Sequence, residues 1–218
     1  MISHRFFHAL CLVGTVALSV LFSSCLPRVS VTSGAGDEAT IFFSTGFSAD
    51  TAKTLRAIGG IDENTPLFSK TDILALLKAA GAENTSVTIP TATELAASGR
   101  IKKLSQNSLS KTGILKKTEK SVVLTVGPKQ IRAFYELLDD DTKSYLDLMM
   151  IPALIGETMT AGEYRELLSS MYGPSFANEI VDGKLTINIS SADGKKMTQN
   201  TLSLGELLTA QGEIEFSL

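Results

Sequence analysis

Histidine, cysteine and tryptophan are nearly missing from this 218-residue chain: it has no Trp, its two histidines are His4 and His8, and its two cysteines are Cys11 and Cys25. Residues 26–218 therefore hold neither an imidazole nor a thiol. That excludes from this region a Ser-His-Asp triad, a Cys-His pair, a zinc site ligated by His or Cys, and an intrachain disulfide. An exported fold without a disulfide rests on its own hydrophobic core. A large excess of one charge is absent too, with 20 basic against 23 acidic residues and a net charge of −3, so the chain lacks the basic footprint of a nucleic-acid binder. Nor is there a spanning apolar run: Ala9 to Phe22 falls short of the roughly 20 residues a helix needs to cross the hydrocarbon core.

That apolar run is informative in itself. Met1 to His8 carries Arg5 and no acid, Ala9 to Phe22 is almost wholly apolar, and Leu21-Phe22-Ser23-Ser24-Cys25 follows. This is the layout of a secretory leader, here without an A-x-A type cleavage site. Small residues directly before a cysteine resemble the lipobox of bacterial lipoproteins, although Phe22 stands where that family usually has Leu, with Leu21 displaced by one. The resemblance implies that residues 1–24 are a signal peptide cut by signal peptidase II, and that the Cys25 thiol carries diacylglycerol. Two or three acyl chains make a stable tether where one gives only marginal binding. Leu26, rather than Asp, follows the cysteine, which by the same resemblance leans toward the outer membrane. Residues 25–39, rich in Ser, Gly and Val, read as a lipidated flexible tether.

From residue 40 the pattern predicts a single α+β domain over 40–218, or two lobes at 40–120 and 121–218, with strands toward both ends and capped short helices clustered in the middle. Strands are expected at Thr40–Phe47, Thr85–Ile89 and Ser121–Val126. Leu185, Ile187 and Ile189 alternate with polar residues, Asp193-Gly194 signals a hairpin and Met197–Leu202 returns as its partner; Glu213–Leu218 alternates again. Ser48, Ser69 with Asp72, Thr91 with Glu94, Thr160 with Glu163 and Ser203 with Glu206 each read as a helix start, and Pro128 sits at a first helical position. Asp139 to about Met150 is a further helix. The stripes Ile131, Phe134, Tyr135, Leu138 and Tyr164, Leu167, Leu168, Met171 predict two amphipathic helices, with Tyr135, Leu138, Tyr164, Leu167 and Leu168 in one core.

Four constellations bear on chemistry. The stretch 100–120 holds Arg100, Lys102, Lys103, Lys111, Lys116, Lys117 and Lys120 against Glu119 alone, a candidate patch for anionic headgroups or else a solvated edge guarded by lysines. Asp139-Asp140-Asp141 lacks the rhythm of a calcium loop and suits the start of a helix. Ser108-Leu109-Ser110-Lys111-Thr112-Gly113 contains the S-x-x-K and K-T-G of penicillin-binding enzymes, but the two share Lys111, which separate elements of that fold cannot do. Met149, Met150, Leu154, Met159 and Met171 are the candidates for a pliable apolar groove, or for irregular core filling. The expectation is a lipid-anchored envelope protein, a non-catalytic binding or structural module with a protein or lipid partner, no cofactor, no metal and no nucleic acid. The alternatives are a hydrolase using two carboxylates, which needs no histidine, and a carrier of an apolar ligand.

Overall fold

A computed structural model of the chain describes residues 27–118, 121–138 and 140–218. Residues 1–24, read from the sequence as a signal peptide, lie outside the described residues, as do Cys25, Leu26, Glu119, Lys120 and Asp139. The strands are β1 (Arg28–Ser33), β2 (Glu38–Gly46), β3 (Ala82–Thr88), β4 (Glu94–Lys102), β5 (Leu115–Lys117), β6 (Val122–Val126), β7 (Lys184–Ser190), β8 (Met197–Ser203) and β9 (Ile214–Phe216). The α-helices are α1 (Ala49–Gly59), α2 (Lys70–Ala79), α3 (Ser108–Lys111), α4 (Pro128–Tyr135), α5 (Asp140–Leu148), α6 (Pro152–Ile155), α7 (Ala161–Tyr172), α8 (Pro174–Asp182) and α9 (Leu204–Leu208), with one 3-10 turn at Leu104–Gln106. The class is α+β, with strands at both ends and helices between.

A six-stranded sheet of order β3-β4-β2-β1-β7-β8 forms one layer, and β5-β6-β9 a small second sheet. Side chains alternate across a strand, so the register sorts the large sheet into two faces. Val29, Val31, Ile41, Ala97, Ile101, Ile187 and Ile189 fall on one face, which the helices and the small sheet cover. Ser30, Thr32, Thr40, Thr186 and Asn188 fall on the other, where Thr32 bonds Ser190 and Asn188 donates to Ser30.

Residues 28–39 are not a leash. β1 lies inside the sheet, antiparallel to β2 and parallel to β7, and Val31 is 1% exposed. Its Val-x-Val alternation buries two β-branched side chains, and two neighbours satisfy its backbone, which outweighs the flexible composition around it. Pro27, directly before β1, already belongs to the sheet, since its carbonyl accepts from the Thr186 amide. Two lobes are excluded by the same pairing, because β7 and β8 complete the sheet begun by β1 and β2, and β5 pairs with β6. The register also gives the sheet two ends. Arg28, Ser44, Ala96 and Thr186 are level near one end, the Arg28 end, and Ser33, Glu38, Lys102 and Ser190 lie at the other, the Ser33 end.

Most predicted caps are in place: the side chains of Ser48, Ser69, Thr160 and Ser203 accept from backbone amides at helix starts, the last two within full capping boxes. Thr91 with Glu94 is the exception, since Glu94–Lys102 is β4, paired on both edges. Glu, Leu and Ala are good helix formers, but intrinsic propensity is a weak prior that tertiary pairing overrides. Gly99 lets β3 approach: a Cβ there would lie 2.8 Å from the Ala82 Cβ. Pro174 opens α8 at its first helical position.

Candidate functional site

The covered face of the large sheet is not uniformly filled. Between it, the small sheet and α4 lies a partly open cleft of about 280 Å³. Its floor is Val29 and Val31 of β1, Ile41 of β2, and Leu185 and Ile187 of β7. Leu109, Ile114, Leu115, Leu124 and Val126 form a wall, and Ile131 and Phe134 of α4 close over it. Strand alternation supplies the floor, and the helical three-residue spacing of Ile131 and Phe134 supplies the roof. Pro128 starts α4 at its first position. Gly127 permits the approach that sets this helix in place, since a Cβ there would stand 2.8 Å from the Gly212 carbonyl oxygen.

Gln130 is the one polar residue on the lining, and it is 3% exposed. Its Nε2 donates to Glu213 at 2.8 Å, while its buried Oε1 has no partner. A carboxylate only accepts, so Glu213 fixes which way the Gln130 amide is turned. The remaining lining is hydrocarbon. The cleft exceeds the roughly 150 Å³ that admits a benzene and approaches the roughly 300 Å³ at which ligand pockets begin. It offers no group that acts as acid, base or nucleophile, and what it can do is bury an apolar chain.

None of Met149, Met150, Leu154, Met159 and Met171 lines this cleft. Met149 and Met159 pack against the core of α7 and α8, whereas Met150 and Met171 are 36% and 44% exposed. Leu154 is half-buried, and its carbonyl accepts from Arg132 Nε at 3.2 Å. Their helices turn different faces to the core, which sequence proximity could not show.

The basic stretch is gathered near the Ser33 end and partly neutralised. Arg100 is paired with Glu38, Lys102 with Glu83 at 2.7 Å, and Lys117 Nζ donates to Ser33 Oγ at 2.6 Å. Lys103, Lys111 and Lys116 are exposed; Lys120 lies outside the described residues. Pairing with Lys102 also holds the Glu83 carboxyl below the usual carboxylate range. Ser108, first residue of the S-x-x-K, begins the single turn of α3 and gives its hydroxyl to the Ala79 carbonyl, a structural use.

For a two-carboxylate hydrolase one acid must be raised. Among the described residues, the acids displaced from their ordinary values all move down: Glu83 through Lys102, Glu163 and Glu206 through the amides and hydroxyls they cap, and Asp193 through Ser191 and the Lys195 amide. Among the described residues no three of His, Cys, Asp and Glu are grouped to hold a metal, and no helix is long and apolar enough to cross a membrane.

The lining that sequence reasoning missed is mostly in the supposed leash and the supposed loop, at Val29, Val31, Leu109, Ile114 and Leu115. The alternation in Val29-Ser30-Val31-Thr32 was the available signal for the first two. Comparison of the chain with protein-family models, with curated proteins and with solved structures finds no match.

Proposed function

We propose that this is a lipid-anchored protein of the cell envelope, tethered through Cys25 to the outer membrane, and that it binds an apolar chain in the cleft beneath α4 without catalysing a reaction. The observation that carries the binding is the hydrocarbon lining of a cleft large enough for a ligand, with Gln130 its one polar residue. The lipobox-like Leu21–Cys25 carries the anchoring.

Each methylene taken from water into such a lining contributes about 0.8 kcal/mol, or about fourfold in affinity. Calorimetric titration of the Cys25→Ser protein, which has no lipid of its own to compete, with 1-alkanols from hexanol upward tests the reading. Affinity is expected to climb by about that factor per methylene and then level off once the cleft is full. A series with no dependence on chain length overturns it.

A further inference from the structure

The covalent distance between Cys25 and the sheet fixes which end of the domain meets the membrane. Pro27 is buried and its carbonyl accepts from Thr186, and β1 continues from Arg28 through the middle of the large sheet. Cys25 is two residues before Pro27, and whatever their conformation two residues span at most about 7 Å. A lipid on Cys25 therefore cannot hang the domain on a long leash. We infer that the Arg28 end of the six-stranded sheet is a membrane-apposed surface, held directly on the lipid headgroups, while the Ser33 end projects away. This rests on the reading of Cys25 as the lipidated residue.

The register supplies the rest. Lys184 lies two residues before Thr186, the partner of Arg28, so Arg28 and Lys184 present exposed cations at the anchored end. Of the acids nearby, Glu206 caps Ser203, Asp182 is paired with Arg165 and Glu179 accepts from Ser48, while Glu94 stands opposite Gly46 at the same end. Arg100 and Lys102 lie four and six residues, about 14 and 20 Å, along β4 from Ala96, the partner of Ser44, and Lys103 follows them. They are out of reach of the headgroups, beyond a Debye length of about 10 Å at 0.1 M salt. The cleft, in contrast, begins at the membrane end, because its floor residue Leu185 is next to Thr186.

The test places one fluorophore at either end of a single hairpin, through Lys184→Cys or Lys195→Cys in a Cys11→Ser background of the full chain, processed in cells and reconstituted on phosphatidylcholine vesicles. A nitroxide on the lipid headgroups should quench the label at 184 and leave that at 195 unquenched. Equal quenching, or stronger quenching at 195, overturns the orientation. In parallel, incorporation of a palmitate analogue that Cys25→Ser abolishes reports the anchor itself. A tag with the wrong quenching pattern rejects the orientation alone, and a tag that survives Cys25→Ser rejects both. Replacing Lys102, Lys103 and Lys116 by Gln should leave vesicle association unchanged, and its loss would show that the basic end is the one in contact.

Discussion

Two amphipathic helices with similar sequence patterns end in opposite situations. α7 opens with a capping box at Thr160, and its Tyr164 and Leu168 are fully buried against Phe176, Ala177 and Ile180 of α8. Its neighbourhood is tied down further: Tyr164 donates its hydroxyl to the Met149 carbonyl, Tyr172 donates to Leu148, and Tyr172 meets Phe176 edge to face at 5.2 Å. Burial raises the Tyr164 phenol well above its ordinary value. In α4 the stripe of Ile131 and Phe134 faces the cleft, and Gln130 is its one fully buried residue. Tyr135 and Leu138, expected in the same core as Tyr164, are half-buried and outside it, with the Tyr135 hydroxyl donating to Asp147. Amphipathic spacing reports that a helix face is apolar; it does not report whether protein or a ligand covers it.

The contrast can be broken most forcefully on the filled side. Leu168→Ala should lower stability by about 2 to 5 kcal/mol, since it opens a cavity in a packed core, and denaturant unfolding measures it. An unchanged midpoint would mean the two helices do not differ. On the open side, Phe134→Ala should cost less, about 1 to 2 kcal/mol, because Phe134 is only partly buried and lines the cleft. It should weaken decanol binding at the same time. A loss of stability equal to that of Leu168→Ala would show that the cleft is closed core.

A third comparison concerns the cap that starts α7. The amide and hydroxyl of Thr160 hold the Glu163 carboxyl below its ordinary value of 4.5. A group whose value is lowered on folding contributes its stability above the unfolded value, and that contribution is lost as pH falls through the folded one. Glu163→Gln should therefore be less stable than the unaltered protein near neutral pH and indistinguishable from it well below pH 4.5. A gap that persists in acid would assign the effect to packing. Thr160→Ala should cost about 1 kcal/mol, the usual loss for an N-cap. The smallest effect on stability is expected for Ile131→Trp, which adds its bulk to an open cleft rather than to a packed core. It should nonetheless abolish decanol binding, and undiminished binding would place the ligand elsewhere.

Local signals were legible where a single residue type satisfies a local need. The caps at Ser48, Ser69, Thr160 and Ser203, the proline at the start of α4 and the Asp193-Gly194 turn between β7 and β8 all appear at their expected positions, because each depends on backbone groups within a few residues. The candidate site was hardly legible. Its floor combines β1 and β2 with β7, whose Leu185 lies more than 140 residues beyond Ile41, and Leu109, Ile114 and Leu115 of its wall lie in a segment of polar appearance between Arg100 and Lys120. The methionines suggested a groove because they are close in sequence, yet successive short helices turned them in different directions.

By itself the sequence determined what residues 26–218 cannot contain, histidine and thiol chemistry, because composition does not depend on the fold. It also determined the helix starts and the paired strands β7 and β8, through caps, turn and alternation. Only the tertiary structure decided that β1 is an interior strand, that Glu94–Lys102 is a strand and not a helix, and that the stripe of α4 faces a void. Each of those outcomes turns on partners far along the chain: two neighbouring strands that complete a backbone's hydrogen bonds, a glycine that admits a close approach, and side-chain volumes on three separate elements that together leave a space unfilled.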